Sequence, residues 1–243
     1  MNHRKMIIVH GDKGGVGKST MANLCVDYLL DRDGKVVIVE GDKTISDVAA
    51  RHAGVSGVQG SMASLARPDK REEAVIALFE NLDRIGEDAG HVVINTPASA
   101  SETLDAVAEL FIETAHMMGF HVHVGWMLGD DEIGAAKSAE SELCRLADRR
   151  VAILNGRFGG GRTWKRHAAR NKWTKGGGLE VNLPELTERA AEIMRATNGR
   201  LSDLTSPDGG QSIVIRQVAK EWLHRKGALA AAAELVGEEE IDG

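Results

Sequence analysis

Short, unbroken apolar runs alternate with longer amphipathic stretches along this chain, and this alternation constrains the fold most strongly. The apolar runs lie at residues 6–9, 36–39, 92–94 and 151–154, with further strand candidates at 120–128 and 179–183. Strands without polar alternation are typical of a parallel sheet that is covered on both faces. The stretches between them predict helices at residues 19–30, 72–85, 100–115, 131–147, 185–196 and 212–235. We therefore expect an α/β fold with a doubly wound, mostly parallel sheet.

The composition is that of a folded protein, with 42% apolar and 27% charged residues among 243. No internal repeat and no linker rich in proline or serine divides the sequence, so we predict a single domain over residues 1–243. Cys25 and Cys144 lack CxxC spacing, which favours a reducing, cytoplasmic setting. The longest apolar run near the C-terminus, residues 228–233, is too short to span a membrane. The net charge of −6 argues against a uniformly basic nucleic-acid surface.

A glycine-rich loop follows the first predicted strand directly and opens the first predicted helix. Residues 10–20 read HGDKGGVGKST, with Asp12 at the first glycine position of the strict GxxxxGK[ST] pattern. Glycines let successive backbone N–H groups turn towards phosphate oxygens, and the helix N-terminus adds partial positive charge. Lys18 would reach the β- and γ-phosphates, and the Ser19 hydroxyl would bind Mg²⁺. The predicted nucleotide-binding residues are Gly14, Gly15, Val16, Gly17, Lys18, Ser19 and Thr20.

A second lysine, Lys13, stands five residues before Lys18. With this lysine the loop resembles the deviant Walker A motif of the ParA/MinD family of ATPases. The resemblance implies a fold of the P-loop NTPase type, ATP and Mg²⁺ as cofactors, and a homodimer that forms on ATP binding. In such a dimer Lys13 would reach the nucleotide of the partner subunit, and we therefore count Lys13 and Lys18 as candidate catalytic residues.

The second strand ends in Glu40, Gly41 and Asp42, where the family usually has Asp-x-Asp-Pro. The resemblance implies that Glu40 and Asp42 take part in hydrolysis, and that Asp42 helps to order Mg²⁺. Both would lie at the carboxyl end of a strand beside the phosphate loop, where ligands bind in open α/β sheets. The alternative is a solvated acidic strand end.

The strand at residues 92–94 leads into Asn95, Thr96 and Pro97, whereas the family has Asp-Thr-Pro at this point. An amide can hydrogen-bond a metal-bound water, but it brings no negative charge to offset Mg²⁺. We expect Asn95 to weaken metal binding or turnover while leaving nucleotide binding intact, because the loop supplies most phosphate contacts.

Two later positions resemble the segments that border the base in the family. Asn155 follows the strand at residues 151–154, and Pro184 follows the strand at residues 179–183. The resemblance implies that the Asn155 amide contacts the adenine edge and that Pro184 lies beside the base.

A basic segment, residues 149–178, interrupts this acidic chain. From Arg149 to Lys175 it holds nine Lys and Arg residues and no Asp or Glu, together with Trp164 and Trp173. Mobile basic residues with interleaved aromatics could bind DNA nonspecifically through phosphate contacts and base stacking. A nucleotide lid, a docking site for an acidic partner and a solvated face are the alternatives.

The acidic tail, residues 237–243, differs from the basic amphipathic helix that ends MinD-type proteins, and argues against a membrane partner.

These features predict a slow, ParA-like ATPase that switches between monomer and ATP-sandwich dimer. By resemblance it would act in the partitioning of plasmid DNA or other cargo, or in conjugation, with a protein partner that the sequence does not identify. The first alternative is a nucleotide-dependent scaffold that does not hydrolyse ATP, which Asn95 favours. The second is an ATP-dependent ligase similar to the dethiobiotin and cobyrinate synthases, which Lys13 disfavours.

Overall fold

A single sheet of seven parallel strands organises the part of the chain that the computed structural model describes, residues 4–41, 47–86 and 90–237. The strand order is β3-β2-β4-β1-β5-β6-β7, and every pair is parallel. The predicted doubly wound α/β fold is confirmed. The assignment of residues 1–243 to a single domain stays a prediction.

The strands are β1 (Arg4–His10), β2 (Val36–Glu40), β3 (Val58–Met62), β4 (His91–Asn95), β5 (Phe120–Leu128), β6 (Arg149–Asn155) and β7 (Leu179–Leu183). The helices in the first half are α1 (Lys18–Asp33), α2 (Asp47–Arg51), α3 (Arg71–Ile85), α4 (Ala100–Ala106) and α5 (Ala108–Met117). Those in the second half are α6 (Glu132–Glu140), α7 (Glu142–Leu146), α8 (Arg162–Arg166), α9 (Ala168–Lys175), α10 (Glu188–Ala196), α11 (Ile213–Lys220) and α12 (Ala228–Val236).

Successive strand residues point to opposite faces of the sheet, and both faces are covered by helices. In β1, Met6 and Ile8 pack into the core beneath α3 to α9, whereas Ile7 and Val9 pack into the core beneath α1, α2 and α10 to α12. All four side chains are fully buried. Burial on both sides explains why the central strands read as unbroken apolar runs.

The sequence pattern missed the edge strand β3, residues 58–62, because its side chains are mostly exposed and it contains Gly60. Two predicted helices are also interrupted. The stretch 100–115 breaks at Val107, and the stretch 131–147 breaks at Ser141. Ser141 adopts an extended conformation, and its hydroxyl accepts a hydrogen bond from the Cys144 N–H, so it begins a new helix rather than continuing the old one.

The long helix predicted at residues 212–235 is divided by a π-helical turn at Glu221–Arg225 and by Gly227, which has a φ of 89°. None of the helices in the described part of the chain combines the length and the hydropathy that a membrane span requires.

Candidate nucleotide-binding site

Polar side chains from several strands gather at the carboxyl edge of the sheet. The strand register places Val9 beside Asn95, and Asn95 beside Glu40. On the other side of β1, the register continues through β5 and β6 to pair Asn155 with Leu183. The glycine-rich loop leaves the end of β1 in the middle of this edge, where the connections run to opposite sides of the sheet. This is the position at which open α/β sheets bind ligands.

The loop presents an uncapped helix N-terminus. Gly15 and Gly17 have φ values of 73° and 103°, which residues with a Cβ rarely adopt. Gly17 precedes α1, and within the described residues no side chain caps this helix and no acidic residue occupies its first turn. A Cβ placed at Gly14 or Gly15 would meet no atom within 4 Å, so the outer rim of the loop is open. An uncapped N-terminus with an open approach suits a phosphate group.

Lys18 is nearly buried, at 8% exposure, and its ammonium group is held by backbone carbonyls of the loop itself. Nζ donates to Lys13 O at 2.8 Å and to Gly11 O at 3.2 Å. Burial lowers the pKa of Lys18 to about 8, although the charge of Asp12 opposes the change. A cation that is desolvated and bonded to neutral carbonyls gains strongly from an arriving phosphate anion.

The neighbouring loop residues Lys13 and Asp12 differ in their exposure and in their contacts. The Lys13 side chain is exposed and makes no hydrogen bond or ion pair with the described residues. Asp12 Oδ1 accepts hydrogen bonds from Ser101 Oγ at 2.8 Å and from Lys137 Nζ at 2.7 Å. Burial acts to raise the pKa of Asp12, but these two bonds and the Lys137 charge leave it below its ordinary value. Asp12 therefore tethers the loop to α4 and α6.

Asn155 contacts the phosphate loop. Its Nδ2 donates to Val16 O at 2.8 Å, and its Oδ1 accepts from the Arg157 N–H at 3.0 Å. A Cβ at Gly17 would lie 2.7 Å from Asn155 Nδ2, so the loop passes close to this amide. Pro184 follows the neighbouring strand and accepts a hydrogen bond from Trp222 Nε1 at 2.8 Å through its carbonyl. The adenine contacts of both residues stay predictions.

Glu40 is fully buried and has its carboxylate oxygens engaged within the protein. Oε1 accepts from the Val48 N–H at 2.7 Å and from the Ala49 N–H at 2.9 Å, which holds the first turn of α2. Burial raises the pKa of Glu40, and these hydrogen bonds only partly offset the effect. Asp42, predicted beside it, lies outside the described residues.

Asn95 donates through Nδ2 to Glu40 Oε2 at 3.0 Å. An aspartate at this position would set two carboxylates against each other, which explains how an amide suits a strand that neighbours Glu40. The other amide atom, Asn95 Oδ1, is buried and has no hydrogen-bond partner among the described residues. An unsatisfied buried oxygen can accept from a water or a ligand bound beside it.

Three residues near the loop, His10, Trp126 and Asp47, had no signal in the sequence that singled them out. His10 is fully buried below the loop, with Nδ1 2.9 Å from Thr96 Oγ1 and its ring edge-on to Trp126 at 4.7 Å. Burial lowers the pKa of His10 to about 3, with the Lys18 charge acting in the same direction. Ser19 Oγ donates to Asp47 Oδ2 at 3.3 Å. The Ser19–Asp47 pair joins residues 28 positions apart and could not be read from local spacing.

The residues present fit a nucleotide with its metal ion. The uncapped N-terminus of α1 and the desolvated Lys18 suit phosphates, while the Ser19 hydroxyl and the unpartnered Asn95 Oδ1 suit a hydrated Mg²⁺. No group of three or more His, Cys, Asp or Glu side chains gathers as a metal cluster in the described ranges. Mg²⁺ in such sites takes few protein ligands and binds mainly through phosphates and water.

The basic segment packs against the sheet rather than extending from it. Trp164 and Trp173 are 0% and 1% exposed and contact each other at 6.0 Å between ring centroids. The prediction that they stack on bases is therefore wrong, because the sheet and α6 require apolar cover at this edge. Trp164 Nε1 donates to Glu180 Oε1 at 2.6 Å, and Arg170 forms an ion pair with the same carboxylate.

Known proteins share this architecture, although no protein-family model matches the chain. Protein MobD from Acidithiobacillus ferrooxidans is 24% identical over 194 residues, which cover 78% of this chain and 81% of that protein. The structure of apo McdA from Cyanothece superposes with a TM-score of 0.54 at 14% identity, over 91% of this chain and 100% of McdA. The ATP complex of a McdA variant from Cyanothece gives a TM-score of 0.52 at 14% identity, over 92% of this chain and 97% of that protein.

The likeness to McdA extends over nearly the whole of both chains, and the Lys13 and Lys18 loop lies at the edge where parallel sheets bind ligands. The chain therefore has the fold of McdA.

Proposed function

We propose that this protein is a nucleotide-switched ATPase that binds ATP with Mg²⁺ and forms a homodimer around the bound nucleotides. The observation that carries the proposal is the uncapped N-terminus of α1, with its open glycine rim and the buried ammonium group of Lys18. The Ser19 hydroxyl would help to hold Mg²⁺, which would offset the negative charge of the phosphates. Lys18 would bind the phosphates, and Lys13, which is exposed, would reach the nucleotide of the second subunit.

The biological role that the resemblance suggests is the positioning of plasmid DNA or other cargo, or a step in conjugation, in the cytoplasm. The likeness to MobD, which spans most of both chains, supports a place among ParA-like relatives encoded with such systems. Hydrolysis would be slow, because catalysis in this class depends on positioning and charge stabilisation, and Asn95 brings no charge.

Solution mass tests the dimer. Light scattering with ADP–Mg²⁺ and then with ATP–Mg²⁺ should show a monomer and a dimer respectively. Lys13→Ala should remain monomeric with ATP while retaining nucleotide binding, because the Lys13 side chain is not bonded to the described residues of its own subunit. Lys70→Ala is a matched control, since Lys70 is an exposed lysine outside the phosphate loop. A wild-type mass that is indifferent to nucleotide would contradict the sandwich dimer.

Phosphate release tests the ATPase activity. Lys18→Ala should abolish release, and release that persists in this variant would belong to a contaminating enzyme. The Glu40–Asn95 hydrogen bond favours a second candidate function, a scaffold whose output is partner binding without hydrolysis. ATP-dependent dimerisation without phosphate release would select the scaffold. Release that requires a small-molecule acid would instead select a ligase.

Nonspecific DNA binding through the basic segment is a further part of the proposal. Its exposed cations with no ion pair to the described residues are Arg157, Lys165, Arg166, Lys172 and Lys175. Binding that depends on them should weaken steeply with salt as counterions are released. A Lys172→Glu/Lys175→Glu variant should lose affinity for duplex DNA at low salt, and wild-type binding that is absent or insensitive to salt would contradict this role.

A further inference from the structure

We infer that Asp47, at the start of α2, supplies the carboxylate that holds Mg²⁺ beside Ser19, in place of the charge that Asn95 lacks. The inference rests on the proposed function and assigns a metal-binding residue that the phosphate-loop pattern does not contain. It depends on the contact between Ser19 and Asp47 and on the way in which Glu40 fixes α2.

The contact has the dimensions of a metal site. Ser19 Oγ and Asp47 Oδ2 are 3.3 Å apart. Neighbouring ligands of an octahedral Mg²⁺ lie about 3.0 Å apart, as Mg–O bonds of about 2.1 Å require. A hydroxyl and a carboxylate oxygen at this spacing could therefore bind one ion with a movement of a few tenths of an ångström.

The other carboxylates at this edge are already engaged. Asp12 accepts from Ser101 and Lys137, and Glu40 accepts from two backbone N–H groups of α2 and from Asn95. Asp47, by contrast, is exposed, and its contact with Ser19 leaves lone pairs on both carboxylate oxygens for an ion. Among the described carboxylates at this edge, Asp47 can therefore turn towards a cation without breaking a buried hydrogen bond.

Glu40 positions Asp47. The Glu40 carboxylate holds the N–H groups of Val48 and Ala49, the two residues that follow Asp47 in the first turn of α2. The strand end thereby fixes the start of the helix next to the phosphate loop. In this arrangement the charge of Glu40 orders the backbone, and the charge of Asp47 faces the ion.

Asn95 supplies an independent observation. Asn95 is 7% exposed, it is bonded to Glu40, and its Oδ1 is buried without a partner among the described residues. A water molecule bound to Mg²⁺ is a strong hydrogen-bond donor and would satisfy this oxygen. Asp47 would then bind the ion directly while Asn95 contacts its hydration shell.

The test is the Mg²⁺ dependence of nucleotide binding, measured with ADP that carries a fluorescent N-methylanthraniloyl group. Affinity is determined in EDTA and then at increasing MgCl₂. For Asp47→Asn we expect an unchanged affinity in EDTA and a Mg²⁺ midpoint raised about tenfold or more, the loss that follows removal of metal-site partners. Asp47→Glu should recover part of the shift. Asp69→Asn, an exposed aspartate paired with Arg67, is the matched control and should behave as the wild type.

Asp42→Asn is measured in parallel, because the family resemblance assigns the metal to that residue. A raised midpoint in Asp47→Asn supports the inference, whether or not Asp42→Asn also shifts. A wild-type midpoint in Asp47→Asn overturns the inference alone, provided that Mg²⁺ tightens binding to the wild type. If the wild type binds no nucleotide under either condition, the proposed function fails and the inference fails with it.

Discussion

The phosphate loop and the basic segment are both glycine-containing, basic stretches, yet they are built in opposite ways. The loop leaves the N-terminus of α1 without a side-chain cap, and Lys18 is bonded only to loop carbonyls among the described residues. The basic segment bonds its inner polar groups internally, with Trp164 and Arg170 both bonded to Glu180, and leaves outer cations such as Lys172 and Lys175 exposed. An uncapped helix N-terminus beside a buried ammonium group suits an anionic ligand, whereas buried side chains that are bonded to each other stabilise the fold. The comparison teaches that basic composition alone does not identify a binding surface.

The largest effect should come from the tryptophans of the basic segment. Trp164→Ala should lower the free energy of unfolding by about 3–5 kcal/mol, the range for large buried aromatics. Lys172→Ala, on an exposed position of the same segment, should change it by less than about 0.5 kcal/mol. Urea denaturation measures both. A Trp164→Ala protein that is as stable as the wild type but binds DNA less well would show that Trp164 belongs to a binding surface rather than to the core.

The loop should respond most strongly at Gly17. Gly17→Ala forces a Cβ into a φ of 103° and to within 2.7 Å of Asn155 Nδ2, so we expect a loss of roughly 1–3 kcal/mol together with loss of nucleotide binding. Gly60→Ala, on β3 outside the loop, is the matched control, because its Cβ would meet no atom within 4 Å. Thermal unfolding and nucleotide titration distinguish the two. Equal behaviour of the two variants would mean that the loop does not need its close approach to Asn155.

His10 links the loop to the pH dependence of stability. Its pKa is about 3 in the folded protein and about 6.5 when unfolded, so the unfolded chain binds the extra proton below pH 6.5. Stability should therefore fall as the pH decreases through 6.5, by about 2 kcal/mol from this residue at pH 5. His10→Phe removes the titration and leaves the Thr96 hydroxyl donating to Val9 O. The difference between the urea midpoints at pH 7 and pH 5 should shrink in this variant, and the part that remains includes His123, whose pKa burial lowers to about 4. An unchanged pH slope would contradict the assignment.

The smallest effect should come from the tether at Asp12. The Asp12–Lys137 ion pair is half exposed, and Asp12→Asn keeps an acceptor for Ser101, so the loss should stay below about 1 kcal/mol. We expect the Asp12→Asn variant to exchange nucleotide faster without a change in its free energy of unfolding. That result would show that the tether orders the loop rather than the fold. Stopped-flow release of labelled ADP measures this rate. A large loss of stability would instead show that the tether at Asp12 also stabilises the fold.

The fold could be read from the sequence because its central strands are buried on both faces and carry a local signature. Strands β5 and β7 begin and end where the pattern predicted, at residues 120–128 and 179–183. The edge strand β3 lacked that signature, since a strand with exposed side chains needs no apolar run. The helix breaks at Val107 and Ser141 depend on tertiary packing and capping, which apolar periodicity does not encode.

The candidate site was likewise predictable from the sequence only in part. The loop residues were predicted because phosphate binding requires glycines and a lysine at fixed spacing, close together in the chain. The contacts of Asn155 with Val16, of Asp47 with Ser19 and of Asn95 with Glu40 join residues 139, 28 and 55 positions apart. Spacing carries no information about such pairs. The burial of Trp164 and Trp173 was equally out of reach, since an aromatic residue beside a charge suits either a surface or a core.

The side-chain amide of Asn155 connects the phosphate loop and the basic segment. Asn155 holds the carbonyl of Val16 in the phosphate loop and, through its other end, the N–H of Arg157, where the chain turns towards α8. If the loop moves and the hydrogen bond from Asn155 to Val16 breaks, the Asn155 side chain can rotate, and its hydrogen bond with the Arg157 N–H is then weakened as well. Thermodynamic coupling is reciprocal. A ligand of the basic segment that displaces this turn would therefore change the affinity of the loop for nucleotide, and the nucleotide would change the affinity for that ligand by the same factor. The two hydrogen bonds of the Asn155 side chain thus provide a route by which nucleotide binding at the phosphate loop and ligand binding at the basic segment can be coupled.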